Sequence, residues 1–384
     1  MAPVVRVSPS LSERLEILGE AARYDLSCSC GPSQPRKRGP DGRWIYPAAL
    51  PSGKRVPMLK VLQQSGCERG CYYCVERSGG AAGRGASFTP DELARLFSDM
   101  HAQGSVFGMF LSSAIRDGAP ATMERMLATA EILRLRHRFR GYLHLKVLPG
   151  ARPDQVERAM QLATRVSVNL EAPNAARLAR MAPAKAFESE LVAPMRQIAR
   201  AEAEGRFARS GQTTQLVVGA SEETDAEIGR SASLLYGRLN LARVYYSAFQ
   251  PVPGTPLEGK PPTPFAREHR LYQMDFLLRK YGFGIDEIPF GEDGALPSAT
   301  DPKTAWAALH PERFPLEVNT ARAEELVRVP GIGPVCAARI ESTRRKAPIR
   351  SLPALEAMGV SGRAAAPYVL LDGRRPPVQL ALAV

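Results

Sequence analysis

The stretch "PMLKVLQQSGCERGCYYCVERSGG" (residues 57–80) decides how the rest of the chain is read. Its first eight residues read as a strand. The next stretch places Cys67, Cys71 and Cys74 in a single loop, with spacing Cys-x3-Cys-x2-Cys. A cysteine loop directly after a strand puts soft metal ligands at the strand's C-terminal end, where α/β barrels keep their chemistry. Three ligands are one short of a closed zinc site, which takes four.

Working outward, strands and helices alternate. "TPDELARLFSDMHAQG" (89–104) is a helix, with Thr89 as N-cap and Glu92 three residues on, the pattern of a reciprocal cap. "SVFGMFLSS" (105–113), "GYLHLKVLPG" (141–150), "RVSVNLEAP" (165–173), "TTQLVVGA" (213–220) and "LARVYYSAF" (241–249) are strands, separated by helices at 121–139, 153–162, 188–204 and 222–237. Six strands alternating with helices predict a parallel sheet joined by right-handed crossovers. A full eight-unit barrel needs about 250 residues, against about 195 from 57 to 249, so a partial (β/α)6 TIM-like barrel is expected. A doubly wound sheet is the competing arrangement. It wants a glycine-rich phosphate turn after the first strand, where this chain has cysteines.

Four segments follow: an irregular, basic N-terminal extension (1–56) with a helix at 10–22, the barrel (57–250), a Pro-rich connection and helical extension (251–318), and a small C-terminal all-α domain (319–384). Within the last, residues 350–366 are a degenerate echo of 322–338. The 384 residues are 44% hydrophobic and 23% charged, ordinary for a soluble enzyme. No apolar run approaches the roughly 20 residues of a membrane helix, and the N-terminus does not read as a secretory signal. A cytoplasmic location is expected. The formal net charge is +12; residues 1–60 and 319–384 each hold ten Lys/Arg against five Asp/Glu, leaving +2 for the middle. Basic ends suit a polyanionic partner, and equally suit solubility alone.

The six cysteines (Cys28, Cys30, Cys67, Cys71, Cys74, Cys336) are too unevenly placed for a disulfide framework. Three readings of the loop stand: structural zinc with Cys28 or Cys30 as fourth ligand, inert cysteines, or a 4Fe–4S cluster on three thiolates with one iron open. Cys-x3-Cys-x-aromatic-Cys, with Tyr73 in the aromatic slot, resembles the signature of the radical S-adenosylmethionine (radical SAM) superfamily. The resemblance implies a loop after the first strand of a partial barrel, with the cysteines holding a 4Fe–4S cluster. It implies that SAM chelates the open iron and that one electron cleaves its C5′–S bond to give a 5′-deoxyadenosyl radical. It also implies a low-potential electron donor such as flavodoxin or ferredoxin. Where the family often has Gly-Gly-Glu for the SAM amine, this chain has "FLSS", which passes that role to Ser112 and Ser113. Lys146 is expected to pair with the SAM carboxylate. Ser167, Asn169 and Glu171, on one face by period-2 alternation, suit the ribose or a polar network of their own.

"VNTARAEELVRVPGIGPVCAARIESTRRK" (318–346) looks like a helix-hairpin-helix module. Asn319 is expected to cap its first helix. Gly331, Ile332 and Gly333 form the turn whose backbone N–H groups approach a phosphate, with Arg339, Arg344, Arg345 and Lys346 on neighbouring phosphates. A plain helical hairpin is the alternative. Cys28, in "YDLSCSCG", is a candidate hydrogen-atom donor or redox thiol. Of Tyr245 and Tyr246, one is expected to face the barrel interior, and Tyr246 is the candidate for radical relay. Loop, barrel and hairpin, with "GYLHLKVLPGA", "RVYYSAFQPVPGTP", "REHRLYQMDFLLRKYGF", "DPKTAWAALHPERFP" and "RVPGIG", resemble radical SAM proteins assigned to DNA modification or repair. That implies a nucleic-acid substrate, most simply DNA. A radical SAM enzyme for a metabolite or peptide, and a non-catalytic iron–sulfur or zinc DNA-binding protein, remain the alternatives.

Overall fold

The computed structural model describes residues 9–22, 45–49, 55–79, 85–206 and 210–377. The candidates Cys28 and Cys30 lie outside these residues. The chain divides into two compact units, one of residues 1–223 with 234–268, the other of residues 224–233 with 269–384.

The first unit opens with α1 (Leu11–Ala21), capped by Ser10 and Glu13 in mutual hydrogen bonds. Then come β1 (Ile45–Ala49), β2 (Arg55–Leu62), α2 (Pro90–Ala102), β3 (Gly108–Ser112) and α3 (Ala119–Glu131), which a π-helical turn extends to Arg136. After β4 (Tyr142–Lys146), α4 (Pro153–Leu162), β5 (Arg165–Ser167) and α5 (Ala175–Met181), a second π-helical turn (Phe187–Val192) leads into α6 (Ala193–Ala203). β6 (Gln212–Val218), α7 (Asp225–Leu239), whose residues 225–233 are counted with the second unit, and β7 (Arg243–Ala248) complete the alternation. The strands lie side by side in chain order, β2 through β7 parallel. This is a curled half-barrel sheet of seven strands, in keeping with the partial TIM-like barrel that the alternation predicts. Thr89 caps α2 as expected: its hydroxyl accepts from the Glu92 N–H and the Glu92 carboxylate accepts from the Thr89 N–H.

Three elements depart from expectation. β1 is an antiparallel edge strand within a stretch expected to be irregular, pairing Pro47 with Pro57 in register. Proline gives no ladder N–H, and an edge is where a sheet tolerates it. β5 is only three residues long, and α5 follows it where no helix was expected.

The second unit includes most of α8 (Phe265–Lys280), then α9 (Pro302–Leu309), β8 (Leu316–Glu317), α10 (Ala323–Leu326), α11 (Pro334–Arg344), α12 (Leu352–Ala357), α13 (Gly362–Ala365) and β9 (Val369–Leu370). β8 and β9 pair in parallel, so the C-terminal region is not purely helical. Leu326, Val329, Ile332, Ile340, Leu355 and Val369 share one apolar core. Asn319 does not cap α10, which Arg322 precedes. Instead its side chain accepts from the Ile349 N–H and donates to the Ile349 carbonyl, tying two distant segments.

Lys303, on α9, is 7% exposed; its Nζ donates to the Ile332 carbonyl at 2.5 Å and lies 4.7 Å from the centre of the Tyr281 ring. Burial pulls its pKa down to about 7, opposed in part by Asp301 and Cys336 and reinforced by Arg328. An unfolded lysine titrates near 10.4, at roughly the model-peptide value. Below about pH 7 both states carry the proton, and the folded state bears the full desolvation cost. Between about pH 7 and 10 the unfolded state binds the proton and the folded state does not, so stability rises with pH. Hydrogen-exchange protection across 316–371, corrected for intrinsic rates, is expected to rise from pH 7 to 9. Lys303→Met is expected to flatten that rise; an unchanged slope would assign the titration elsewhere.

Candidate functional site

The C-terminal ends of the parallel strands surround a cavity of about 170 Å³. The loop after β2 brings Cys67, Cys71, Tyr73 and Cys74 to its wall. That loop is fastened at many points besides its sulfurs. The Cys67 N–H donates to the Glu76 carbonyl, the Glu68 N–H to the Ile115 carbonyl and the Tyr72 N–H to the Met181 carbonyl. Arg69, inside the Cys67–Cys71 spacer, donates to the Ala184 carbonyl and to Glu190, both at 2.6 Å.

The sulfurs suit a cluster. None of the three is in a disulfide. The Cys67 Sγ accepts N–H bonds from Arg69 and Ile115, each 3.4 Å long, the kind of contact that stabilises a thiolate ligand. Burial pushes Cys67 up and Cys74 up to about 12, so as free groups they hold their protons; a bound cation is what makes thiolates of them. Among the described residues, no three His, Cys, Asp or Glu side chains are grouped for a single metal ion. Three thiols arranged around one cavity suit a polynuclear cluster, which offers a separate iron to each cysteine.

Sequence reading missed Lys185, which faces the same cavity from the segment between α5 and the second π-helical turn. Its Nζ donates to Glu171 Oε1 at 3.1 Å and to the Tyr73 hydroxyl at 3.2 Å. Burial alone would lower its pKa, but the charges of Cys71 and Glu171 hold it above the ordinary lysine value. Burial and the neighbouring Glu171 and Cys71 raise Tyr73, so its hydroxyl stays protonated. Lys185 has no local sequence signal: it reaches Tyr73 across 112 positions of chain.

Of the other candidates, Ser112, Ser113, Lys146, Asn169 and Glu171 all line the cavity. The Ser113 hydroxyl gives its proton to the Ala114 carbonyl, which leaves the oxygen's lone pairs to accept from an amine. Glu171 does not extend a regular strand from Ser167: β5 has ended, and Glu171 takes a left-handed backbone (φ 65°) while bridging to β6. Ser167 is not part of the lining. It pairs in register with Lys146 and Thr213, and its buried Oγ has no hydrogen-bond partner among the described residues. Tyr246 is corrected: Tyr245, paired with the cavity residue Gln215, lies on the interior face, whereas Tyr246, paired with Leu216, lies on the opposite face and is fully buried. Alternation puts only one of two adjacent tyrosines inside. Ser247, in phase with Tyr245, and Ala248 at the strand's end are the β7 residues that line the cavity.

In the second unit, Gly331 has a left-handed backbone (φ 81°) and Gly333 stands before α11, which no side chain caps. Arg345 and Lys346 are exposed. Three candidates there are otherwise engaged. Ile332 is core: its side chain is fully buried, its N–H donates to Val329 and its carbonyl accepts from Lys303. Arg344 donates to the Val318 and Ala321 carbonyls, bracing the unit from inside. Arg339 donates to the Met358 carbonyl.

Residues 61–235 match the family model described as the Radical SAM superfamily. The cofactors are a 4Fe–4S cluster and S-adenosylmethionine. Cys67, Cys71 and Cys74 would hold the cluster, and the lining residues above would hold SAM. Among solved structures, the FeFe-hydrogenase maturase HydG from Carboxydothermus hydrogenoformans is 11% identical with a TM-score of 0.46, covering 58% of this chain and 51% of that one. The radical S-adenosylmethionine methyltransferase TsrM from Kitasatospora setae is 15% identical at 0.40, covering 52% and 35%. The cobalamin-dependent S-adenosylmethionine radical enzyme OxsB is 12% identical at 0.34, covering 78% and 51%. This chain therefore spans about half or less of the length of these structures. No curated protein matches it. Among the described residues no helix is long and apolar enough to cross a membrane.

Proposed function

We propose that this chain is a radical SAM enzyme acting on a polynucleotide, most simply DNA, in modification or repair. The observation that carries the substrate reading is the Pro330–Gly333 turn feeding the uncapped N-terminus of α11, in a C-terminal stretch that is net basic. We read this turn as a helix-hairpin-helix: helix N-terminal N–H groups attract a phosphate oxygen, and Arg345 and Lys346 add sequence-independent contacts. When bound, the cluster and SAM supply a carbon radical able to abstract hydrogen from an unreactive C–H. The protein's part is to orient and shield: Ser112 and Ser113 would accept from the SAM amine, Lys146 would pair with its carboxylate, Asn169 would meet polar groups of the nucleoside, and the apolar wall would exclude water. A low-potential donor of the flavodoxin or ferredoxin kind completes the system. A target nucleotide in duplex must leave the stack to reach such a cavity.

The test is fluorescence anisotropy with labelled single-stranded DNA, duplex DNA and RNA across a salt series. Affinity should fall steeply with salt. Arg345→Ala with Lys346→Ala should reduce the log–log slope on duplex DNA by about 1.8, the value for two lost phosphate contacts. No binding at low salt would overturn the polynucleotide reading. If 5′-deoxyadenosine still formed with dithionite and SAM, the substrate would be a metabolite or peptide; if none formed, the enzymatic reading would fail as well.

A further inference from the structure

Lys185 is a buried cation that the structure places beside the cysteine loop and that the SAM-binding assignments do not use. Its side chain is 8% exposed and that of Glu171 6% exposed, so the pair is shielded from solvent. Its place is set by the same contacts that shape the loop. Arg69 grips the Ala184 carbonyl next to it, and the Lys185 N–H donates to the Ala182 carbonyl. Its charge acts on both Cys67 and Cys71, while Glu171 holds it from one side and the Tyr73 hydroxyl from another. Charges at such burial interact far more strongly than in water. The potential of an iron–sulfur cluster follows the net charge, hydrogen bonding and solvent access around it.

We propose that Lys185 is a positioning residue for electron entry, a fixed counter-charge that raises the reduction potential of the cluster held by Cys67, Cys71 and Cys74. One electron, taken from an external low-potential donor that is itself oxidised, makes the site one unit more negative, and no proton is transferred. The Lys185 ammonium favours that state. Glu171 opposes it while anchoring the ammonium, so the pair sets the potential between two limits. The tyrosine at position 73, between two of the cysteines, joins the anchor to the loop itself.

The experiment is a dithionite potentiometric titration followed by electron paramagnetic resonance, on full-length reconstituted protein without SAM, with iron content measured in parallel. Lys185→Met should lower the midpoint so that the reduced-to-oxidised ratio at fixed potential falls about tenfold, about 59 mV for one electron. Lys185→Arg should restore it towards wild type. Glu171→Gln, which leaves the ammonium unopposed, should move it the other way, and decides the matter if Lys185→Met takes up no cluster. A purely structural role would alter iron content and leave the potential of the loaded fraction unchanged. Equal midpoints in wild type and Lys185→Met, or a Glu171→Gln midpoint at or below wild type, would overturn the proposal. No polynucleotide enters the measurement, so its outcome is separate from that of the substrate reading.

Discussion

Gly331→Ala is expected to unlatch the C-terminal unit. Residue 331 sits at φ 81°, a left-handed backbone that costs a residue with a Cβ roughly 1–2 kcal/mol. A Cβ there would also stand 2.6 Å from the Ser361 carbonyl oxygen, a backbone atom that cannot swing aside, and 3.1 Å from the Ala364 Cβ. The Gly331 carbonyl accepts the Ser361 N–H, so relief by moving the turn breaks that bond as well. A combined cost of at least about 2 kcal/mol corresponds to roughly a thirtyfold loss of hydrogen-exchange protection in the segments around 326–340 and 355–366. Polynucleotide affinity should fall with it. Gly359, also left-handed at φ 91°, has no backbone atom so near, and Gly359→Ala should cost less. Equal effects at both positions would mean that backbone conformation alone, and not the approach of α13, governs the turn.

Cys71→Ala is expected to remove the cluster and leave the fold. Cys71 is 7% exposed and supplies one of three thiols around the cavity. With two thiolates left, a second iron lacks a protein ligand, and iron content after anaerobic reconstitution should fall to background, with loss of the broad thiolate-to-iron absorbance. SAM cleavage should drop below detection. Far-ultraviolet circular dichroism and exchange protection in the barrel strands should stay unchanged, because no sheet hydrogen bond runs through the Cys71 sulfur. Retention of full iron with Cys71→Ala would return the loop to a different metal or ligand set.

The six parallel strands were legible in the sequence because burial on both faces and crossover helices impose a strong periodic pattern. The cysteine loop was legible because three soft ligands in eight residues have few other uses. What escaped reading has specific physical reasons. β1 lies in a Pro-rich stretch whose local preference is irregular, and partnership with β2 overrides it. The choice between Tyr245 and Tyr246 is a matter of strand phase, which register decides and composition does not. Period-2 reasoning grouped Ser167 with Asn169 and Glu171, but the strand ends at Ser167 and the chain then turns. Arg344 looked like a phosphate ligand because arginine's charge is visible in sequence, while the two carbonyls that occupy it are not. Lys185 was invisible for the same reason: only the fold brings it to Tyr73.

Arg69 gives the cysteine loop a further property. Its guanidinium and the Tyr72 N–H dock the loop on residues 181–190, and the Glu68 N–H docks it on Ile115 after β3; none of these bonds passes through a sulfur. The loop is thus a socket shaped in advance, rather than a strap that closes around its contents. A chain stripped of iron by oxygen would keep its three thiols on station, and recovery would be paced by the supply of iron and sulfide instead of by refolding.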